Sequence, residues 1–136
     1  MTVKLVLDAS VAIASVRPTE PAYAAARARI DRVLQGLDTL VQPSNFRVEV
    51  GGALALLGRP EAEIRSLVDP LCSPPHTMVT IGPKSSAAAE ALAIQARLRG
   101  ADALYVWLAS ARGFTLCTLD HEMARRGAAF CKIIPP

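Results

Sequence analysis

Four acidic side chains lie in apolar surroundings, and their positions suggest a shared chemical role. Asp8 and Asp120 each follow a short β-prone apolar run, and Asp102 stands at the beginning of a helical stretch. Glu49 lies within an apolar helical segment, where an ionised carboxylate costs desolvation energy unless a partner neutralises it. Carboxylate oxygens are the ligands that Mg²⁺ and Mn²⁺ prefer. Gathered in one place, the four carboxylates would hold such a divalent cation.

Each of these residues also has a simpler structural explanation when it is considered alone. Asp8 and Asp102 could cap helices, and Asp120 could be a turn residue. Glu49 could pair with a nearby arginine such as Arg47 or Arg59. The four explanations are independent of one another. A single edge bearing all four carboxylates would need four separate coincidences, and a divalent cation would relieve their mutual repulsion.

Two hydroxyl side chains lie close in sequence to the acidic residues. Ser10 comes two residues after Asp8. Thr118 comes two residues before Asp120, so both project from the same face of a strand. Each hydroxyl could orient a carboxylate or a metal-bound water without binding the metal itself. Ser10 could instead be the N-cap of the helix that follows it.

The elements that must position these residues alternate along the chain. Short apolar runs predict five strands, and helical spacing with start and stop signals predicts seven helical segments between them. This alternation is typical of a parallel sheet with helices on both faces. The carboxyl ends of parallel strands lie along one edge, where ligands bind. The predicted strands cover residues 3–7, 39–42, 77–81, 114–118 and 130–134.

The composition is that of a folded domain with a mild positive charge. A length of 136 residues suits a single domain over residues 1–136. With 51% hydrophobic and 20% charged residues, the chain is not a disordered segment. Fifteen basic and 12 acidic residues give a net charge of +3, which permits a polyanionic partner without requiring one. The sequence has neither a signal peptide nor an apolar run of ~20 residues, so we expect a cytoplasmic protein that does not enter the membrane.

Four blocks of the sequence together resemble the PIN domain. They are LVLDASV at 5–11, FRVEV at 46–50, DALY at 102–105 and TLD at 118–120. Each block is weakly specific by itself, but they occur in the order typical of the family and span the chain from residue 3 to about 134. Within the family, the chain most resembles the small bacterial VapC-type toxin ribonucleases.

The resemblance implies a fold, an activity and a set of site residues. The fold would be a three-layer α/β/α sandwich with a central, mainly parallel sheet. The activity would be metal-dependent cleavage of RNA by an endoribonuclease, the toxin of a toxin–antitoxin pair. Asp8, Glu49, Asp102 and Asp120 would be the catalytic carboxylates that hold Mg²⁺ or Mn²⁺, with Asp8 and Asp102 as the most direct ligands. The family's last block often has Arg after Thr, where this chain has Leu119.

The resemblance also implies partners. Similar proteins are commonly homodimers, and a cognate antitoxin blocks their acidic pocket. RNA would be bound by basic residues, and 12 of the 15 are arginines, whose forked donors suit phosphate. The predicted substrate contacts are Arg17, Arg47, Arg125 and Arg126, although each could be an ordinary solvated residue. Six aromatic residues are too few for a base-stacking platform.

Two other functions stay open from the sequence. One is a non-catalytic PIN-like module that binds RNA or a protein partner, and the presence of all four carboxylates counts against it. The other is a phosphotransfer domain, in which the Asp after the first strand is phosphorylated. Such domains need a Lys late in the sheet, and Lys132, the only late Lys, comes after the last acidic block.

Overall fold

The computed structural model describes residues 2–136, and this part of the chain contains five strands and seven helices. The strands form one parallel sheet in the order β3–β2–β1–β4–β5. The predicted α/β class and parallel sheet are therefore confirmed. The elements are β1 (Val3–Leu7), α1 (Ala9–Ala14), α2 (Tyr23–Leu34), β2 (Asp38–Pro43), α3 (Phe46–Leu56), α4 (Glu61–Leu71), β3 (Thr77–Val79), α5 (Pro83–Ala96), α6 (Gly100–Arg112), β4 (Thr115–Cys117), α7 (His121–Gly127) and β5 (Ile133–Ile134).

The central strand β1 is buried because helices cover both faces of the sheet. Its last three residues, Leu5, Val6 and Leu7, are fully buried, as the continuous apolar run predicts. From β1 the chain adds β2 and β3 on one side and later β4 and β5 on the other. The order of strands therefore reverses between β1 and β4, and such a switch point opens a crevice at the carboxyl ends of the strands.

The helices form two groups that together with the sheet make three layers. In the first group, α1 contacts α2 and α3, and α4 contacts α2 and α3. In the second, α6 contacts α5 and α7, and it also packs on β1, β2 and β4. Val106 and Leu108 of α6 are both fully buried. No helix within residues 2–136 is long and apolar enough to cross a membrane.

Several element boundaries differ from the prediction. The strand expected over 77–81 ends at Val79, and the one expected over 114–118 is Thr115–Cys117. The run at 130–134 forms a strand only at Ile133–Ile134, because the Phe130 N–H bonds back to the Gly127 carbonyl in the turn after α7. Apolar composition alone does not show which residues of a short run obtain a strand partner.

Candidate active site

Asp8 lies at the reversal point of the sheet, between the ends of β1 and β4. Its N–H donates to the Cys117 carbonyl at 2.9 Å, and its side chain is buried, with the residue 5% exposed. Asp8 occupies the N-cap position of α1, but its carboxylate makes no capping hydrogen bond to that helix. The side chain is therefore held at the sheet edge for a reason other than capping.

Two hydroxyls fix the Asp8 carboxylate. Ser10 Oγ donates to Asp8 Oδ2 at 2.6 Å, and Thr118 Oγ1 donates to the same oxygen at 2.8 Å. Thr118 Oγ1 also accepts from the Asp120 N–H at 3.0 Å. The interpretation of Ser10 as an N-cap is wrong, because α1 begins at Ala9 and Ser10 lies inside it. Both hydroxyls orient a carboxylate, as the sequence suggested.

Asp120 is held by the start of α7. It is the N-cap residue of this helix, and its Oδ1 accepts from the N–H groups of Glu122 (2.9 Å) and Met123 (3.0 Å). Within residues 2–136, its Oδ2 receives no hydrogen bond. One oxygen of Asp120 is thus used for structure, and the other is available at the carboxyl edge of the sheet.

Glu49 and Asp102 reach the same edge from α3 and α6. Glu49 Oε1 accepts from Asn45 Nδ2 at 2.6 Å and from the hydroxyl of Tyr105, a fully buried residue of α6, at 3.1 Å. Asp102 precedes Tyr105 by three residues on the same face of α6. The N-cap of α6 is Arg99, so capping does not explain Asp102. The Tyr105–Glu49 bond ties the two helical groups together across the sheet edge.

The suggested arginine partners of Glu49 are engaged elsewhere. Arg47 forms an ion pair with Asp69, and Arg59 forms one with Glu63 at 2.7 Å. Among residues 2–136, no basic side chain pairs with Glu49. Hydrogen bonds from Asn45 and Tyr105 therefore offset the desolvation cost of the Glu49 carboxylate, without a paired positive charge.

Charges within this group of carboxylates raise the pKa values of Asp8, Glu49 and Asp102. Burial raises the pKa of Asp8, and the Asp120 charge raises it further, although hydrogen bonds from the two hydroxyls oppose the change. Burial and then the charges of Asp8 and Asp102 raise the pKa of Glu49, against its two hydrogen bonds. Burial and the charges of Asp8 and Asp120 raise the pKa of Asp102, and Arg99 opposes this effect. The four residues thus share one electrostatic environment.

The donor set fits a divalent cation in its chemistry. All four side chains offer oxygen ligands, and their mutual repulsion would be relieved by positive charge between them. Within residues 2–136, no three Asp, Glu, His or Cys side chains already converge closely enough to hold a metal ion. Binding by three or more of them would require the carboxylates to rotate toward a common point.

A cleft of about 310 Å³ adjoins two of the carboxylates. Asp120 also lines a neighbouring cleft of about 450 Å³ between α7 and β5. The smaller cleft is lined by acidic and basic side chains in equal number: Asp102, Asp120 and Glu122, with Arg97, Arg99 and Arg126. Sequence reasoning missed Arg97 and Arg99, although the segment RLRG at 97–100, separated from the DALY block by one residue, was an available signal.

The four predicted substrate arginines do not lie together. Arg126 lines the smaller cleft, beside Asp102 and Asp120. Arg125 pairs with Glu122 on the exposed side of α7 at 2.7 Å, and Arg17 pairs with Glu20 at 2.5 Å. Arg47 is on α3, in its ion pair with Asp69. Only Arg126 among the four lines this cleft, and RNA contact by all four stays a prediction.

Comparison with known proteins decides the family. The model of the PIN domain matches residues 5–129, nearly the whole chain. This chain belongs to the PIN-domain family. Membership supports a hydrolase acting on nucleic acid and removes the phosphotransfer alternative. No protein of curated function matches the sequence.

Solved structures resemble this PIN domain over almost its full length. PAE2754 from Pyrobaculum aerophilum is 25% identical, with a TM-score of 0.70 over 99% of this chain and 92% of that one. VapBC2 from Rickettsia felis, bound to a promoter DNA fragment, is 13% identical, with a TM-score of 0.69 over 97% and 98%. FitAB bound to an IR36 DNA fragment is 16% identical, with a TM-score of 0.72 over 97% and 94%. At 13% and 16% identity, the last two similarities concern the fold alone.

This PIN domain accommodates Leu119 where the family often has Arg. Leu119 is half-buried and packs against the core, and its N–H donates to Ser10 Oγ at 3.3 Å. The backbone of the last block is therefore tied to the hydroxyl that orients Asp8. The departure from the family pattern leaves Asp120 in place at the start of α7.

Tyr105→Phe is expected to weaken activity through Glu49. Removing the hydroxyl leaves Glu49 with the Asn45 hydrogen bond alone, and we expect the free energy of unfolding to fall by about 1 kcal/mol. We expect kcat to fall by roughly 10-fold, since this hydrogen bond orients a site carboxylate. Tyr23→Phe, at the beginning of α2, is the matched control. An unchanged kcat in Tyr105→Phe would contradict a positioning role for this tyrosine.

Proposed function

We propose that this protein is an endoribonuclease that requires Mg²⁺ or Mn²⁺ and hydrolyses RNA phosphodiester bonds as a VapC-type toxin. One observation carries the proposal: in this PIN domain Asp8, Glu49, Asp102 and Asp120 lie close enough at the carboxyl edge of the sheet for their charges to raise the pKa values of Asp8, Glu49 and Asp102. Within residues 2–136, none of these four carboxylates forms a salt bridge with a basic side chain, and such a group of carboxylates is suited to a divalent cation.

The four carboxylates would hold the cation together with fixed supporting groups. Asp8 and Asp102 are the proposed direct ligands, and Glu49 and Asp120 complete the set. When bound, the cation would neutralise charge on the phosphodiester and lower the pKa of a water. Ser10 and Thr118 would keep the Asp8 carboxylate oriented through their hydrogen bonds at 2.6 and 2.8 Å. Binding would also reverse the repulsion that raises the pKa values of the site.

One carboxylate would accept the proton of the attacking water. Glu49 and Asp120 are both candidates for this general base. Asp120 is better placed, because it lines the cleft and its Oδ2 has no hydrogen-bond partner within residues 2–136. Glu49 Oε1 already accepts two hydrogen bonds. The proton would move from water to Asp120 as the water oxygen attacks phosphorus and the P–O bond to the leaving oxygen breaks.

The proposed partners follow from the toxin assignment. RNA is the substrate, and a cognate antitoxin would block the acidic site. Two similar structures, VapBC2 and FitAB, are complexes bound to DNA fragments, and their likeness in fold supports an antitoxin partner for this chain. A homodimer and a cytoplasmic location belong to the same proposal.

Induced expression in bacteria tests the toxin assignment. We expect the wild type to arrest growth and to produce discrete RNA fragments, and we expect Asp8→Asn to do neither at equal soluble expression. Co-expression of the neighbouring reading frame should restore growth if it encodes the antitoxin. Normal growth and intact RNA with well-expressed wild type would contradict the proposal.

Metal binding should be visible as a change in thermal stability. Because burial and neighbouring charges raise the pKa of Asp102, its ionisation opposes folding. We expect Asp102→Asn to raise the melting temperature of the metal-free protein by about 2 °C at pH 7. This gain in melting temperature should disappear as pH falls below about 4, where Asp102 of the wild type is protonated in both the folded and the unfolded protein.

Addition of Mn²⁺ completes this experiment. It should raise the melting temperature of the wild type, because a ligand that binds only the folded state stabilises it. The rise should be smaller in Asp102→Asn. Glu90→Gln, on the exposed face of α5, is the control and should respond to Mn²⁺ like the wild type. Equal Mn²⁺ shifts in all three proteins would show that Asp102 is not a ligand.

A further inference from the structure

We infer that the cleft between the α5–α6 turn and α7 is a subsite for an RNA backbone phosphate, bound by Arg97, Arg99 and Arg126. The inference rests on the proposed function, because it places this phosphate beside the one that is cleaved. It adds Arg97 and Arg99 to Arg126, which the sequence had already suggested as an RNA contact, and assigns all three to one phosphate. The three arginines line the same cleft as Asp102 and Asp120.

Of the three arginines in the cleft, Arg126 is engaged in contacts within the protein, whereas Arg97 and Arg99 are available to bind a ligand. Arg126 is fixed, since its Nε pairs with Glu122 Oε2 at 2.9 Å and its Nη1 donates to the Arg97 carbonyl at 2.5 Å. Arg97 and Arg99 are exposed, and neither forms a salt bridge with an acidic side chain within residues 2–136. Arg97 and Arg99 therefore present positive charge to the cleft that no acidic side chain in the described part of the chain pairs.

The backbone at Arg97 gives an independent reason to assign its side chain a function. Arg97 is the C-cap of α5 and has φ +56° and ψ +47°, in the left-handed region. Glycine is the residue usually found in this conformation at the end of a helix, and other residues adopt it at an energetic cost. Arg97 is the only non-glycine residue within 2–136 with positive φ. Such outliers concentrate where a side chain serves binding or catalysis.

The chemistry of the three side chains points to phosphate. A guanidinium presents forked donors that match two phosphate oxygens, and it stays charged at every working pH. Side chains that bind phosphate position a nucleic acid without reading its sequence. The subsite would therefore hold the RNA chain next to the carboxylates, and its removal should weaken binding by similar factors for different RNA sequences.

Arg97→Gly is the informative variant, because glycine suits the left-handed backbone. It should keep or raise the melting temperature while removing a phosphate-binding group. Arg99→Ala is its partner, and Arg112→Ala is the control, at the other end of α6 and about 18 Å along the helix axis. Each change is made in the wild type for cleavage and in Asp8→Asn for binding without cleavage. Single-turnover cleavage and fluorescence anisotropy with a labelled single-stranded RNA are then measured over a range of salt.

We expect the double variant Arg97→Gly/Arg99→Ala to raise Kd by roughly 10-fold or more, whichever RNA sequence is used. The slope of log Kd against log salt should fall by about 0.7 for each phosphate that the variant no longer neutralises. The maximal cleavage rate should change by less than about 2-fold, because the effect lies in binding. Arg112→Ala should match its parent in all three quantities.

The outcomes separate the subsite from the proposed function. If the wild type cleaves RNA and the double variant binds with the Kd and salt slope of Arg112→Ala, the subsite is overturned and the ribonuclease stands. If the wild type cleaves nothing but binding depends on Arg97 and Arg99, the subsite stands and the ribonuclease is overturned. If the protein neither binds nor cleaves RNA, both are overturned.

Discussion

Asp8→Asn is expected to lower the rate of RNA cleavage by about 100-fold or more while leaving the fold intact. Asn has nearly the same shape as Asp, and its carbonyl oxygen can still accept hydrogen bonds from Ser10 and Thr118. It lacks the negative charge that would bind the cation. Because burial and the Asp120 charge raise the pKa of Asp8, removal of this charge should not destabilise the protein.

The control for this experiment is an acidic residue of ordinary surface character. Asp31 pairs with Arg27 at 3.2 Å, and its side chain is 42% exposed. Asp31→Asn should cleave RNA at the wild-type rate. Single-turnover rates, circular dichroism spectra and melting temperatures are compared for the three proteins. An Asp8→Asn protein that cleaves within about twofold of the wild type would show that this carboxylate is not catalytic.

Asp38→Asn is expected to cause the largest loss of stability among these variants, about 2–3 kcal/mol at pH 7. Asp38 begins β2, is fully buried and accepts hydrogen bonds from Arg29 and Arg32 of α2, each at 3.0 Å. The Arg29 side chain is only 18% exposed, so the substitution leaves its charge without a partner in the interior. The melting temperature should fall by about 6–10 °C.

The pH dependence of the stability lost in Asp38→Asn tests whether the loss comes from the ion pairs of Asp38. Burial raises the pKa of Asp38, but hydrogen bonds and charge from Arg32 and Arg29 outweigh burial and hold the pKa below its ordinary value of 3.8. The ion pairs therefore stabilise the fold above about pH 4, and this contribution is lost as pH falls through the lowered pKa. The difference between wild type and Asp38→Asn should shrink below pH 3.8. A difference independent of pH would indicate a packing effect.

The Asp31→Asn protein also serves as the control for Asp38. Both aspartates pair with arginines of α2, but the Asp31–Arg27 pair is exposed to solvent. Surface pairs of this kind contribute roughly 0–1 kcal/mol. A large loss of stability from Asp31→Asn, or none from Asp38→Asn, would contradict the distinction between exposed and buried ion pairs.

The parts of the site that could be predicted from the sequence are those fixed by the order of strands and helices along the chain. Asp8 and Asp120 stand where apolar strands end, and parallel strands place such residues on a common edge. Glu49 was noticeable because a carboxylate interrupts an apolar helix. These features need only the alternation of strands and helices, so the order of elements and the four carboxylates could be predicted together.

The parts that sequence reasoning missed depend on contacts between distant segments. Tyr105 has the character of a core residue of α6, and only its hydrogen bond to Glu49, 56 positions away, reveals a role in the site. The ion pairs of Asp38 depend on how α2 packs beside β2. Arg97 and Arg99 look like surface residues until the α5–α6 turn brings them beside Asp120. Sequence spacing does not encode such tertiary neighbours.

RNA cleavage by the wild-type protein, measured before and after removal of divalent cations, tests the proposed metal-dependent ribonuclease most directly. A defined RNA is incubated with the protein in EDTA and again after Mg²⁺ or Mn²⁺ is restored, beside Asp8→Asn and Asp102→Asn. We predict no cleavage in EDTA, recovery by the wild type with either cation, and at most residual cleavage by the two variants. Undiminished cleavage in EDTA would contradict the requirement for a cation. Binding of RNA without cleavage under any condition would contradict the enzyme itself and would identify a non-catalytic PIN-like module.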